Sequence, residues 1–192
     1  NESFAITSVF LNYNTQSLPV EYKILPSGVG YIKVSSTSDD REKIAALFES
    51  ALKVFQVAQI SGLIIDLRVV VNLTPDAILP PLGLAGFFTD QNIPLGQFQY
   101  FNAAAGGFES KGELQTILPR ASRYNFSKLV LLVGSGCSNA CELEAYALTK
   151  LPGMSVVGQS PSAGVLSDVT GGQFLLPDGF SLQIPTGRFV LP

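Results

Sequence analysis

The chain has 192 residues, 46% hydrophobic and 14% charged, with a formal net charge of -3 and no histidine. That suffices for one domain with a sizeable core and is short for two. The missing histidine excludes Ser-His-Asp and Cys-His catalysis and the usual zinc sites, so no metal or cofactor is expected, and no basic cluster marks a nucleic-acid binder.

No apolar run reaches membrane-spanning length and no signal peptide opens the chain. It begins at Asn1 rather than Met, which reads as a mature or shortened form. Phe4 to Phe10 alternate loosely as a first strand. Val20 to Leu25 alternate better, Pro26-Ser27-Gly28 is turn chemistry, and Gly30 to Val34 reads as the next strand. Ser38-Asp39-Asp40 puts acids at a helix start, and Ile44, Leu47, Phe48, Ala51, Leu52 and Phe55 follow helical spacing toward a core. Glu49 and Lys53 are spaced for an i,i+4 pair on the wet side.

Gly62 to Arg68 is an apolar strand ending in Asp66-Leu67-Arg68. Thr74-Pro75-Asp76 reads as an N-cap with Pro at the first helical position. Pro80-Pro81 interrupts any helix there, with a resumption through Leu82 to Phe88. Gln97 to Asn102 reads as a strand, and Gly106-Gly107 as a bend. Met154 to Gly158 is a short strand followed by a loop, Gln159 to Gly164. Gly171 to Leu176 and Phe180 to Pro185 are two strands joined by Pro177-Asp178-Gly179.

The stretch from Lys128 to Lys150 is the centre of the chain. Leu129 to Val133 is a buried-strand run, Gly134-Ser135-Gly136 breaks it, and a helix reads from Ala140 with Leu143, Ala147 and Leu148 on its apolar face. Ser138 or Cys137 is the expected cap, and Glu142 suits the helix dipole in the first turn. Such a strand–turn–helix junction is where many α/β enzymes hold a nucleophile. Cys137 and Cys141 read first as two small residues packed at a buried helix start; a local disulfide or redox pair is the alternative. Asn72-Leu73-Thr74 and Asn125-Phe126-Ser127 match glycosylation sequons, a pattern too short to carry weight by itself.

Gly134-Ser135-Gly136-Cys137-Ser138-Asn139-Ala140-Cys141-Glu142 resembles the Gly-x-Gly-Thr-Ala-Ser-Ala-x-Glu nucleophile segment of the S41 peptidases, the C-terminal (tail-specific) processing proteases. Gly30-Tyr31-Ile32, Asp66-Leu67-Arg68, and the loop and hairpin after Val157 resemble three further motifs of that family, in the same order. The resemblance implies an α/β, ClpP/crotonase-like S41 peptidase core: a central, mostly parallel sheet with flanking helices plus a β-hairpin. It implies one core domain over residues 1–192 without a PDZ domain, ending before the last core strand of many members. It also implies a peptide or unfolded protein segment as partner, and a periplasmic, secreted or plastid-lumenal location.

Aligned this way, Asn139 stands at the family's nucleophilic serine. Gly164 stands at its catalytic lysine, or Val165 after a one-residue shift, and Asp168 at the glutamine that orients that lysine. Val70, Asn72 and Leu73 replace the Asn and two Gly of the oxyanion turn. Loss of a serine nucleophile alone costs on the order of a million-fold in rate. Ser138 lies one residue away, turned by roughly 100° on a helix, and reads as a cap rather than a substitute nucleophile. The resemblance therefore points to a peptide-binding domain with impaired catalysis. The alternatives are an active divergent or engineered serine endopeptidase, and an oligomerising structural module.

Overall fold

The computed structural model describes residues 18–36, 40–70, 81–166 and 172–192. The expected strand at Phe4 to Phe10, the cap at Thr74, and the candidate site residues Asn72, Leu73 and Asp168 lie outside the described residues.

Alternating apolar residues set the first two strands, β1 (Val20–Ile24) and β2 (Gly30–Val34), which pair antiparallel. Asp40 then caps α1 (Arg41–Val57), its carboxylate accepting the amides of Glu42 and Lys43. The helical spacing read from the sequence becomes its buried face: Ile44, Phe48, Ala51, Leu52 and Phe55 are inside, with Leu47 packed at the edge. Lys53 pairs with Glu49 at 3.1 Å on the wet side, as expected. Each fully buried large side chain of this face contributes roughly 1.5–3 kcal/mol.

The next strands are β3 (Leu63–Asp66), β4 (Ile93–Asn102), β5 (Gly107–Ser110), β6 (Gln115–Ile117), β7 (Leu129–Val133) and β8 (Met154–Gly158), with α2 (Ala140–Thr149) between β7 and β8. The main sheet has the order β1-β2-β3-β7-β8, and its β2–β3, β3–β7 and β7–β8 pairings are parallel. The C-terminal ends of β3 and β7 therefore emerge side by side, which is where α/β folds place ligands.

Several boundaries differ from the sequence reading. β4 starts at Ile93 rather than Gln97, because Pro94 obscures a strand that pairs with β6 through an irregular register at Pro94 and Gly96. The expected helix at Leu82 to Phe88 is a single 3₁₀ turn, Leu84–Phe87, with Gly83 at φ 77° before it. Phe87 and Phe88 from this turn pack on Phe48 with ring centroids 6.0 and 6.3 Å away. The last part folds as the expected hairpin, β9 (Gln173–Leu175) and β10 (Ser181–Gln183), and then as β11 (Gly187–Val190), which the sequence reading missed and which pairs with β4. Among the described residues no helix is long and apolar enough to cross a membrane.

Candidate functional site

β7 leads into the turn Gly134-Ser135-Gly136, where the amide of Cys137 donates to the carbonyl of Gly134 at 2.9 Å. Gly136 bridges in parallel to Val69, and a Cβ on Gly136 would lie 2.7 Å from the carbonyl oxygen of Arg68. Glycine is required there for the two strand ends to approach.

The helix cap is Asn139, not Ser138 or Cys137. Asn139 adopts φ 52° and ψ -115°, a backbone conformation rare for a residue with a side chain. The chain swings from the glycine turn into the helix through this one positive-φ residue. The turn between β7 and α2 thus carries its positive φ at Asn139, and the side chain there is an amide.

Cys137 and Cys141 are joined in a disulfide with Cα atoms 5.2 Å apart, not merely packed as small residues. Both are buried, and the bond ties the turn to the first turn of α2. Ser138 spends its carbonyl on the amide of Cys141 at 3.1 Å.

Glu142 is more than a residue suited to the helix dipole. Its carboxylate accepts the amide of Asn139 at 3.1 Å, the hydroxyl of Ser162 at 2.8 Å, and the amides of Gly164 at 2.7 Å and Val165 at 3.1 Å. Ala163 donates its amide to the carbonyl of Cys137 at 2.9 Å, and the hydroxyl of Ser160 accepts the amide of Ser135 at 3.2 Å. The 160–165 loop is therefore fixed against the elbow. Gly164 sits in it at φ 71°, exposed, with no heavy atom within 4 Å of where a Cβ would be. The loop brings backbone to the elbow but no base.

The lysines at the two ends of the Lys128–Lys150 stretch do not supply one. Lys128 immediately precedes β7 and so lies at the opposite end of the sheet from the elbow. Lys150 caps the far end of α2 and stands over the Tyr146 ring at 4.3 Å, and Lys111 stands over Tyr100 at 5.5 Å.

At the end of β3, Asp66 and Arg68 form an ion pair at 2.7 Å, and the hydroxyl of Tyr31 donates to the same carboxylate at 2.5 Å. Burial opposes ionisation of Asp66, but the hydrogen bonds from Arg68 and Tyr31 outweigh it and hold its pKa below the usual carboxylate value. Burial first, and then the bond to Asp66, push the Tyr31 phenol well above its usual pKa. The Asp-Leu-Arg motif is visible in the sequence; its third member, Tyr31, is not, because only the β2–β3 pairing brings it alongside.

Val70 donates its amide to the carbonyl of Gly136 at 3.2 Å and buries its side chain in the core, so this N–H is committed to the fold. Glu144, also missed in the sequence, is fully buried on α2 and accepts the amides of Gly83 at 2.8 Å and Ala85 at 3.0 Å. Burial raises its pKa against the pull of those amides. Its signal was an acid placed among the apolar residues of α2. Among the described residues, no cluster of three or more His, Cys, Asp or Glu is arranged to hold a metal ion.

No protein-family model matches this chain, and no curated protein matches it. Solved structures do. A candidate peptidase from Parabacteroides merdae ATCC 43184 superposes with a TM-score of 0.64 at 20% identity, over 97% of this chain and 56% of the other. The photosystem II D1 C-terminal processing protease gives a TM-score of 0.59 at 18% identity, over 92% of this chain and 45% of the other. A candidate S41 protease from Bacteroides fragilis NCTC 9343 gives 0.55 at 21% identity, over 91% of this chain and 47% of the other. The chain spans about half the length of these structures. Its mixed α/β architecture around a mostly parallel sheet is the fold of the S41 peptidases.

Proposed function

We propose that this domain binds an extended peptide or unfolded protein segment beside the elbow and does not cleave it. The observation that carries this reading is the pairing of Asn139, in the strained elbow conformation, with Gly164 in the loop fixed against it. An amide is not a nucleophile for acyl transfer, and a glycine supplies no proton acceptor in place of a lysine. Retained strain with altered side chains fits a nucleophile elbow whose chemistry has been lost.

Peptide binding by strand addition needs only main-chain donors and acceptors, which do not depend on a nucleophile. β8 is the edge of the main sheet next to β7, and Val156 and Val157, which alternate between its two faces, are 50% and 55% exposed. Among the described residues no strand pairs with the outer side of β8, and that edge is the surface we assign to the peptide. The Cys137–Cys141 disulfide favours an oxidising, extracytoplasmic location.

The test is incubation with a reduced, unfolded protein and with a serine-reactive fluorophosphonate, each followed by mass spectrometry. Binding without cleavage or labelling is expected. Peptide products, or adduct on Ser138, would overturn the reading and favour an active divergent peptidase. A variant with Asn139→Ser, Gly164→Lys, Val70→Asn, Asn72→Gly and Leu73→Gly checks the alignment: cleavage should return if these are the ancestral catalytic positions.

A further inference from the structure

The triplet Asn125-Phe126-Ser127 takes no part in the elbow. It lies in the connection that runs into β7, outside helix and strand, with Asn125 and Ser127 exposed. An Asn-x-Ser triplet without a central proline is the acceptor pattern for N-linked glycan, and in an exported protein it belongs on a surface loop. The other such triplet, Asn72-Leu73-Thr74, lies outside the described residues.

The residues on either side decide how Asn125 is presented. Tyr124 is buried, with 4% of its surface exposed. Its amide donates to the carbonyl of Phe87 at 2.8 Å, its hydroxyl donates to Glu49 at 3.0 Å, and its ring centre lies 6.2 Å from that of Phe87. Phe126 packs against the core, with its ring centre 6.3 Å from that of Phe88. The hydroxyl of Ser127 donates to the carbonyl of Ser61 at 2.5 Å, and the carbonyl of Lys128 accepts the amide of Leu63 at 2.9 Å. Two inward aromatic side chains thus flank one outward asparagine. A large hydrophilic group on Asn125 projects into solvent while both anchors stay in place.

The Cys137–Cys141 disulfide supplies the second observation. Such bonds form in oxidising compartments, and the compartments in which exported chains receive N-linked glycan are of that kind. We propose that Asn125 carries an N-linked oligosaccharide, transferred from a glycosyl polyprenyl diphosphate. The side-chain amide nitrogen of Asn125 forms a bond to the anomeric carbon and gives up one proton. The bond from that carbon to the phosphate oxygen breaks, and the polyprenyl diphosphate leaves. The glycan is anchored just before β7, at the opposite end of that strand from the elbow, and leaves the elbow uncovered. The proposal rests on the extracytoplasmic reading and not on peptide binding at β8.

The test starts from the protein isolated from its own source. One portion is alkylated without reduction to read the state of Cys137 and Cys141. Another is treated with a peptide N-glycanase in heavy-oxygen water, which labels each residue that carried a glycan, and is mapped by mass spectrometry. Bonded cysteines and label at residue 125 are expected. Bonded cysteines with no label there would overturn the proposal alone. Free cysteines with no label would overturn it together with the extracytoplasmic reading. Secreted expression in yeast then tests the triplet, read in whole-cell lysate so that retention of a misfolded variant hides nothing. Asn125→Gln and Ser127→Ala should each abolish the glycan on this peptide, and Ser127→Thr should keep it. A glycan retained at Asn125 in the Ser127→Ala protein, or none in the unaltered protein, would also overturn the proposal.

Discussion

The carboxylate of Glu142 lies 2.7 Å from the backbone nitrogen of Gly164, and it also accepts the amide of Asn139 at 3.1 Å. One side chain thus joins the two positions at which a nucleophile and a base are expected from the aligned motifs. The relationship holds the elbow and its neighbouring loop in one arrangement although neither position carries the expected group.

Glu142→Gln keeps one acceptor oxygen but turns an NH2 toward amide donors. The expected loss in unfolding free energy is about 1–3 kcal/mol, as for hydrogen bonds to a charged group. Urea denaturation measures it, and amide exchange locates it: Gly164 and Val165 should lose more protection than β7. Unchanged protection at those two amides would mean that other contacts hold the loop.

Asn139 at φ 52° carries strain that glycine would not. Asn139→Gly should be neutral or stabilising by up to about 1 kcal/mol, and Asn139→Ala destabilising by about 1–2 kcal/mol. Equal stability of the two variants would show that residue 139 is not in a left-handed conformation.

The disulfide links residues four apart, so it closes a very short loop. The chain-entropy relation then gives no more than about 2 kcal/mol. A Cys137→Ala, Cys141→Ala protein should remain folded, lose at most that amount in chemical denaturation, and show faster amide exchange at Ala163, whose partner is the carbonyl of Cys137. Failure to fold would mean that the bond supports the domain and not only the elbow.

The Asp66 pKa is lowered by its partners, so the stability Asp66 contributes is complete above its unfolded value of about 3.9 and is lost as pH falls through the folded value. Tyr31 is shifted the other way: its contribution is complete below about pH 10 and shrinks as pH rises beyond that toward the folded value. Unfolding free energy measured across pH should therefore fall at both ends. Asp66→Asn should flatten the acid limb and cost about 2 kcal/mol at neutral pH. Tyr31→Phe should flatten the alkaline limb.

Much of the architecture is legible from local pattern. The α1 face from Ile44 to Phe55, the strand before Asp66, the β7 strand and the Pro177-Asp178-Gly179 hairpin all stand where periodicity and turn chemistry put them. β11 and the first part of β4 were not legible. β11 is a short strand paired with a segment some ninety positions earlier (Gly187 opposite Tyr100), and Pro94 hides the start of β4.

The elbow shows the same division. Sequence alone determined that a strand, a glycine turn and a helix meet at residues 129–149 and that no histidine is available. These follow from residue identity and short-range spacing. Only the tertiary structure decided that Asn139 takes the left-handed cap, that Cys137 and Cys141 are bonded, and that Glu142 holds the Gly164 loop. Backbone strain, and a carboxylate's choice of donors more than twenty residues away, depend on how the chain returns past β8 to the elbow, and no local pattern encodes that return.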